Sequence, residues 1–152
     1  MGSESLRTRA IQTGVVYVAV IVVTRLRLKD HSYLDDFFTA AVVLLEQAQG
    51  SPGILSADAL AEANDAWWSR TAWQDHDTMR SFVTKDPHRS TMDRLDDWCD
   101  EATFADWEQD DPVLPDWPTA YRHLVADGRS ATLTDASRAN ETRSFPPPVE
   151  AH

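Results

Sequence analysis

A chain of 152 residues with 42% hydrophobic and 26% charged content has the make-up of one globular domain plus an extension, which excludes wholesale disorder. Its formal net charge of −11, from 14 Lys and Arg against 25 Asp and Glu, excludes non-specific nucleic-acid binding, which depends on cations neutralising phosphate. The longest apolar run, Val15 to Val23, is about half of the ~20 residues a membrane-spanning helix needs and gives way to Arg25-Leu26-Arg27-Leu28, so no membrane partner is expected.

Arg7 and Arg9 sit beside Glu4, and no small-residue cleavage site follows the apolar run, which argues against a signal peptide. The single Cys99 excludes an internal disulfide and fits a reducing cytoplasm, the expected location. Residues 1–13 lack periodicity and are expected to form a flexible leader. From Val15 to Leu28 a β-branched run followed by polar and apolar alternation predicts a long first strand.

Asp30 or Ser32 can cap the helix that follows, in which Leu34, Phe37, Phe38, Ala41, Leu44, Leu45 and Ala48 recur at steps of three and four. Gly50-Ser51-Pro52-Gly53 ends it. Residues 54–62 are ambiguous by propensity, but the aromatic and β-branched stretch Trp67 to Trp73 predicts a hairpin through Ala63-Asn64-Asp65. Asp75 and Asp77 open a second helix with Met79, Phe82 and Val83 inward, broken or kinked at Pro87.

His88, Met92, Leu95, Cys99 and Ala102 then repeat at four, three, four, three, which predicts one helix through Ala102. Thr103 to Gln109 is expected to be a fourth strand. The order βαββαβ is the ferredoxin-like pattern, an α+β domain with an antiparallel sheet over residues 14–111. Beyond it Pro112, Pro115 and Pro118 mark a connector, and Thr119 can cap a short helix that Gly128 ends. Phe145-Pro146-Pro147-Pro148 favours extended geometry, so residues 112–152 are expected to be a helical and extended arm lying on the domain or on a partner.

Gly53-Ile54 before the hairpin, the strand end Thr71-Ala72-Trp73-Gln74-Asp75, and Met79-Arg80-Ser81-Phe82 followed by Asp86-Pro87-His88-Arg89-Ser90-Thr91-Met92 carry a family likeness. Over roughly residues 15–110 the chain resembles the antibiotic-biosynthesis-monooxygenase-like branch of the dimeric α+β barrels. It is closer still to an uncharacterised branch with a His-x-x-x-Met helix ending near a Trp, here Trp98. The resemblance implies a homodimer packed sheet against sheet and a ligand cavity between helices and sheet. It does not imply one activity, since such proteins include cofactor-free oxygenases, haem-degrading enzymes, cyclases and proteins of unknown role.

His88 opens the apolar face of its helix, where an imidazole serves as acid or base, or as axial ligand if haem is bound; the alternative is a structural histidine capping a kinked helix start. Met92 stands where haem-degrading relatives carry their iron-ligating histidine. Trp73 and Trp67 share one strand face and Trp68 and Arg70 the other, and with Phe37, Phe82, Met92 and Trp98 the indoles are candidates for a substrate-binding wall, or for plain core and interface packing. Arg70 is a candidate to bind a ligand oxygen or to pair with an acidic helix. Glu101, three residues from Trp98 on the expected helix, is a candidate proton acceptor with a raised pKa, or a solvated helix residue.

Ligand spacing for a metal, a Gly-rich phosphate loop and a nucleophile elbow are all missing. The leading expectation is a monooxygenase-like enzyme of secondary metabolism acting on an aromatic or polycyclic small molecule, with His88 as acid or base and no cofactor. The alternatives are a haem enzyme with His88 as axial ligand and a non-catalytic dimeric binding or accessory protein.

Overall fold

β-branched residues set the centre of the sheet. In the computed structural model, which describes residues 18–149, β1 (Ala19–Leu28) is hydrogen-bonded along its length to β3 (Ala66–Trp73) on one side and β4 (Cys99–Gln109) on the other. Both its faces are covered, which is why it reads as a near-continuous apolar run. Residues Val15 to Tyr17 of the expected first strand lie outside the described residues. β2 (Ile54–Ala61) pairs with β3 through the expected hairpin, and the short β5 (Arg129–Ser130) pairs with β4. The order β2-β3-β1-β4-β5, antiparallel throughout, is the α+β ferredoxin-like sheet with one strand added at its edge.

Helix α1 (Leu34–Gln49) follows a single turn in which Asp30 accepts from the Ser32 amide, and it lays Phe37, Ala41 and Ala48 on the sheet. Gly53 follows, with φ +84, and a Cβ there would lie 2.4 Å from the Cβ of Thr78; only glycine makes this turn into β2. Asp75 caps α2 (His76–Thr84) by accepting from the Thr78 amide. A cis Asp86-Pro87 bond then leads into α3 (His88–Met92) and α4 (Leu95–Trp98).

The helix expected to run through Ala102 is corrected here: it ends at Trp98, and Cys99 already belongs to β4. A spacing of three suits a helix and would put Cys99 and Ala102 on opposite faces of a regular strand, but a register shift between Arg27 and Leu28, which pair with Glu101 and Cys99, takes up the extra residue Asp100. What decides is β1, whose backbone groups down to Leu28 are paired by β4 in a register that sets Leu26 opposite Ala102 and Arg27 opposite Glu101.

The arm folds back onto its own domain. Asp116, rather than the expected Thr119, caps α5 (Trp117–Asp127) by accepting from the Thr119 amide. Trp117, Ala120 and Leu124 of α5, with Phe145 further on, pack against Ile21, Val23 and Trp68 on the sheet face away from α1. At Gly128 a Cβ would meet the Leu124 carbonyl oxygen at 2.2 Å, so glycine lets the chain leave α5 directly into β5. Asn140, buried in α6 (Arg138–Thr142), accepts from the Ala102 amide at 2.8 Å and donates to the Ala131 carbonyl at 3.0 Å, tying the arm to the sheet edge. The resemblance implies a homodimer packed sheet against sheet; here the arm covers that sheet face within the same chain.

Candidate active site

The alternation of β1 and β3 turns Val22, Thr24 and Leu26, with Trp67, Ser69, Thr71 and Trp73, toward the helices. Between this face and helices α1 to α3 lies a cavity of about 390 Å³, within the range of roughly 300–1,000 Å³ typical of small-molecule sites. Its walls are mainly apolar, with Ala and Leu side chains of α1 opposite Met79, Val83 and Met92. Two aromatic groups bound it. Phe37 meets Trp67 and Trp98 edge-on, with centroids 5.8 and 6.0 Å apart. Phe82 lies 5.0 Å from Trp73 and 4.7 Å from the imidazole of His88.

His88 lines this cavity, at the first turn after the cis Asp86-Pro87 bond. Its amide donates to Gln47 Oε1 at 2.9 Å, and its Nδ1 is 3.0 Å from the Val83 carbonyl oxygen. A carbonyl only accepts, so the proton sits on Nδ1 and Nε2 keeps a lone pair. Burial pushes the imidazole pKa below its ordinary 6.5, and the Val83 carbonyl only partly opposes this. The side chain is a neutral base at pH 7 against an apolar wall.

Of the side chains singled out in the sequence, His88, Trp73, Phe37, Phe82, Met92 and Trp98 come together around the cavity. Three do not. Trp68 is fully buried on the opposite face of β3, where its indole donates to Glu62 and meets the rings of Trp117 and Phe145. Arg70 shares that opposite face: it is ion-paired to Asp58 at 2.6 Å, donates to the Pro115 carbonyl and stacks over Trp117 at 4.1 Å. Its role is to fasten the arm.

Glu101 is neither a helix residue nor a cavity residue. It is 2% exposed on β4 and pairs with Arg25 at 2.6 Å and Arg27 at 2.8 Å. Burial alone would raise its pKa, but the hydrogen bonds and charges of the two arginines outweigh burial and hold the carboxyl below its ordinary 4.5. The expected raised pKa is therefore reversed. His31 pairs with Asp65 at 2.8 Å on the exposed rim of a separate groove.

Thr24, Ser69, Asp106 and Arg129 also line the cavity and were not singled out. The first two were readable from strand alternation with Trp67. Arg129 carried no local signal, because only the return of the arm brings it there. Among the described residues no group of three or more His, Cys, Asp or Glu is placed to hold a metal ion. No described helix is long and apolar enough to cross a membrane.

The sequence matches no family model and no curated protein. Solved structures do share its fold. A candidate antibiotic biosynthesis monooxygenase from Deinococcus radiodurans superposes with a TM-score of 0.56 at 11% identity, over 62% of this chain and 95% of that one. A second such protein, from Nitrosomonas europaea, gives 0.54 at 16% identity over 60% and 89%. A point mutant of SnoaB, a cofactor-independent oxygenase from Streptomyces nogalater, gives 0.50 at 15% identity over 59% and 90%.

Proposed function

We propose that this chain, which has the fold of the antibiotic-biosynthesis-monooxygenase-like proteins, is a cytoplasmic monooxygenase-like enzyme acting on an aromatic or polycyclic small molecule in the cavity beside His88. The observation that carries the reading is an imidazole whose Nδ1 faces the Val83 carbonyl oxygen, lining a mainly apolar and aromatic cavity. The buried Cys99, its thiol pushed up to about 12 by burial, is an inert structural residue and fits a reducing compartment.

The chemistry asks little of the protein. Nε2 of His88 removes a proton from an activated ring CH2, whose electron pair delocalises into the adjoining carbonyl and phenol system. That carbanion reduces oxygen and forms a C–O bond. The resulting peroxide loses water, so that one CH2 and one O2 become one C=O and one H2O. The electrons come from the substrate's own two C–H bonds, and an apolar cavity keeps bulk water from reprotonating the carbanion. Trp67 is the indole open to the ring system, with Trp73 and Trp98 behind Phe82 and Phe37, and Thr24 and Ser69 offer hydroxyls to its oxygens.

Haem fits this site poorly. The cavity lies at the small end of ligand-site volumes, and Arg129 is the one permanent cation among its lining residues, against two propionates. The test is oxygen uptake with a phenolic tricycle such as dithranol. Protein-dependent uptake with one oxygen atom from O2 appearing in the new carbonyl supports the reading. Binding without uptake makes the cavity that of a carrier, and a Soret band after haemin addition returns the haem alternative.

A further inference from the structure

We infer that Arg129 recognises an acidic oxygen on the cavity's ligand, so that an aromatic or polycyclic carboxylate is preferred over a neutral ring system of the same shape. The inference rests on the reading of the cavity as an aromatic substrate site, and it adds the ligand's charge and orientation.

The placement comes from the sheet register. Ser69 on β3 lies opposite Thr24 on β1, Thr24 opposite Phe104 on β4, and Phe104 opposite Arg129 on β5. All four line the cavity, so its floor is a row of two hydroxyls, one aromatic ring and one guanidinium. With neighbouring strands about 4.8 Å apart the row spans roughly 14 Å, the length of a short fused-ring ligand with a substituent. Such a ligand lying across the floor has one end among hydroxyls and the other at a cation.

Arg129 is held ready. Its strand is fixed by pairing to β4 and by Asn140, yet its side chain is 69% exposed, and among the described residues it is ion-paired to Asp106 at 2.9 Å, itself a lining residue. A fork of guanidinium N–H groups suits a carboxylate, and Asp106 keeps the group at the rim until a ligand carboxylate replaces it. The other lining aspartate, Asp58, is engaged by Arg70 on the opposite sheet face. A chain of net charge −11 repels anions in general, so an anionic ligand needs a cation aimed at the entrance.

The experiment is calorimetric titration of the full chain with an anthraquinone carboxylate and with the matching carboxamide, using wild type, Arg129→Gln and Asp106→Asn. Wild type is expected to prefer the carboxylate by about tenfold, less at high salt. Arg129→Gln should remove the preference and leave carboxamide affinity and melting temperature within error. Asp106→Asn should strengthen carboxylate binding. Equal affinity for the two probes in wild type, or a preference that survives Arg129→Gln, overturns the inference and leaves the aromatic-site reading standing. Binding of neither probe overturns both.

Discussion

The Nδ1–H of His88 is given to the carbonyl oxygen of Val83, five residues earlier and across the cis Asp86-Pro87 bond, at 3.0 Å. This one hydrogen bond turns a partly buried histidine into a base of fixed tautomer. Its pH behaviour follows from the direction of its shift. Since burial lowers the folded-state pKa below 6.5, the acid limb of kcat/KM should have its midpoint below 6.5, and a midpoint above that value would exclude His88 as the base. For stability, the unfolded chain binds this proton more readily than the folded one. The contribution is therefore fully present above pH 6.5 and lost as pH falls through the folded value, and melting curves of His88→Gln should lack that part of the acid slope.

Gln47 positions His88 without touching the cavity contents. Its Oε1 accepts from the His88 amide at 2.9 Å, and its Nε2 reaches the Phe82 and Lys85 carbonyls, each at 3.4 Å. Gln47→Leu should lower kcat about tenfold, leave KM within about twofold and reduce stability by ~1 kcal/mol. Gln47→Glu keeps the acceptor for the His88 amide but sets a carboxylate oxygen toward the Phe82 and Lys85 carbonyls, so it should restore part of kcat without restoring stability. Equal loss in both variants would show a packing role only.

The Arg25–Glu101 pair lies beneath the arm, with the Arg25 guanidinium 4.4 Å from the centre of the Phe145 ring. Removing one partner leaves a buried charge uncompensated, so Glu101→Ala should destabilise the fold by ~3–5 kcal/mol in chemical denaturation. The double change Arg25→Met with Glu101→Leu should recover most of that loss. If the double variant is as unstable as the single, the pair is irreplaceable and the desolvation argument fails here.

Much of the domain was legible because its signals are local. Glycine and proline clusters, the Asp75 cap and the Trp67 to Trp73 alternation each specify structure within a few residues, and the register of β3 confirms which indoles face inward. Six of the nine candidate site residues follow from those same periodicities. The segment Cys99 to Ala102 misled because an irregularity in its strand pairing gives it a helix-like spacing of three, and only the register with a strand more than 70 residues away reveals this. Arg70 and Trp68 sit on the face that alternation assigns, but what covers that face is the arm, whose docking has no local pattern.

The arm should therefore behave as part of the core. Phe145→Ala is expected to cost ~3–5 kcal/mol, as for a fully buried aromatic side chain. Combined with Trp117→Ala it should bare Ile21, Val23 and Trp68 and make the protein self-associate in light scattering. A double variant as stable and as dispersed as wild type would mean that the arm does not bind where it is seen.

The central claim is that His88 is the base of an oxygen-consuming reaction in this cavity. The most direct test is the oxygen-uptake rate of His88→Ala with a phenolic tricycle that wild type turns over, read beside ligand affinity and melting temperature. The account predicts at least a tenfold fall in turnover with affinity within about threefold and the fold intact. Wild-type turnover in that variant would contradict it.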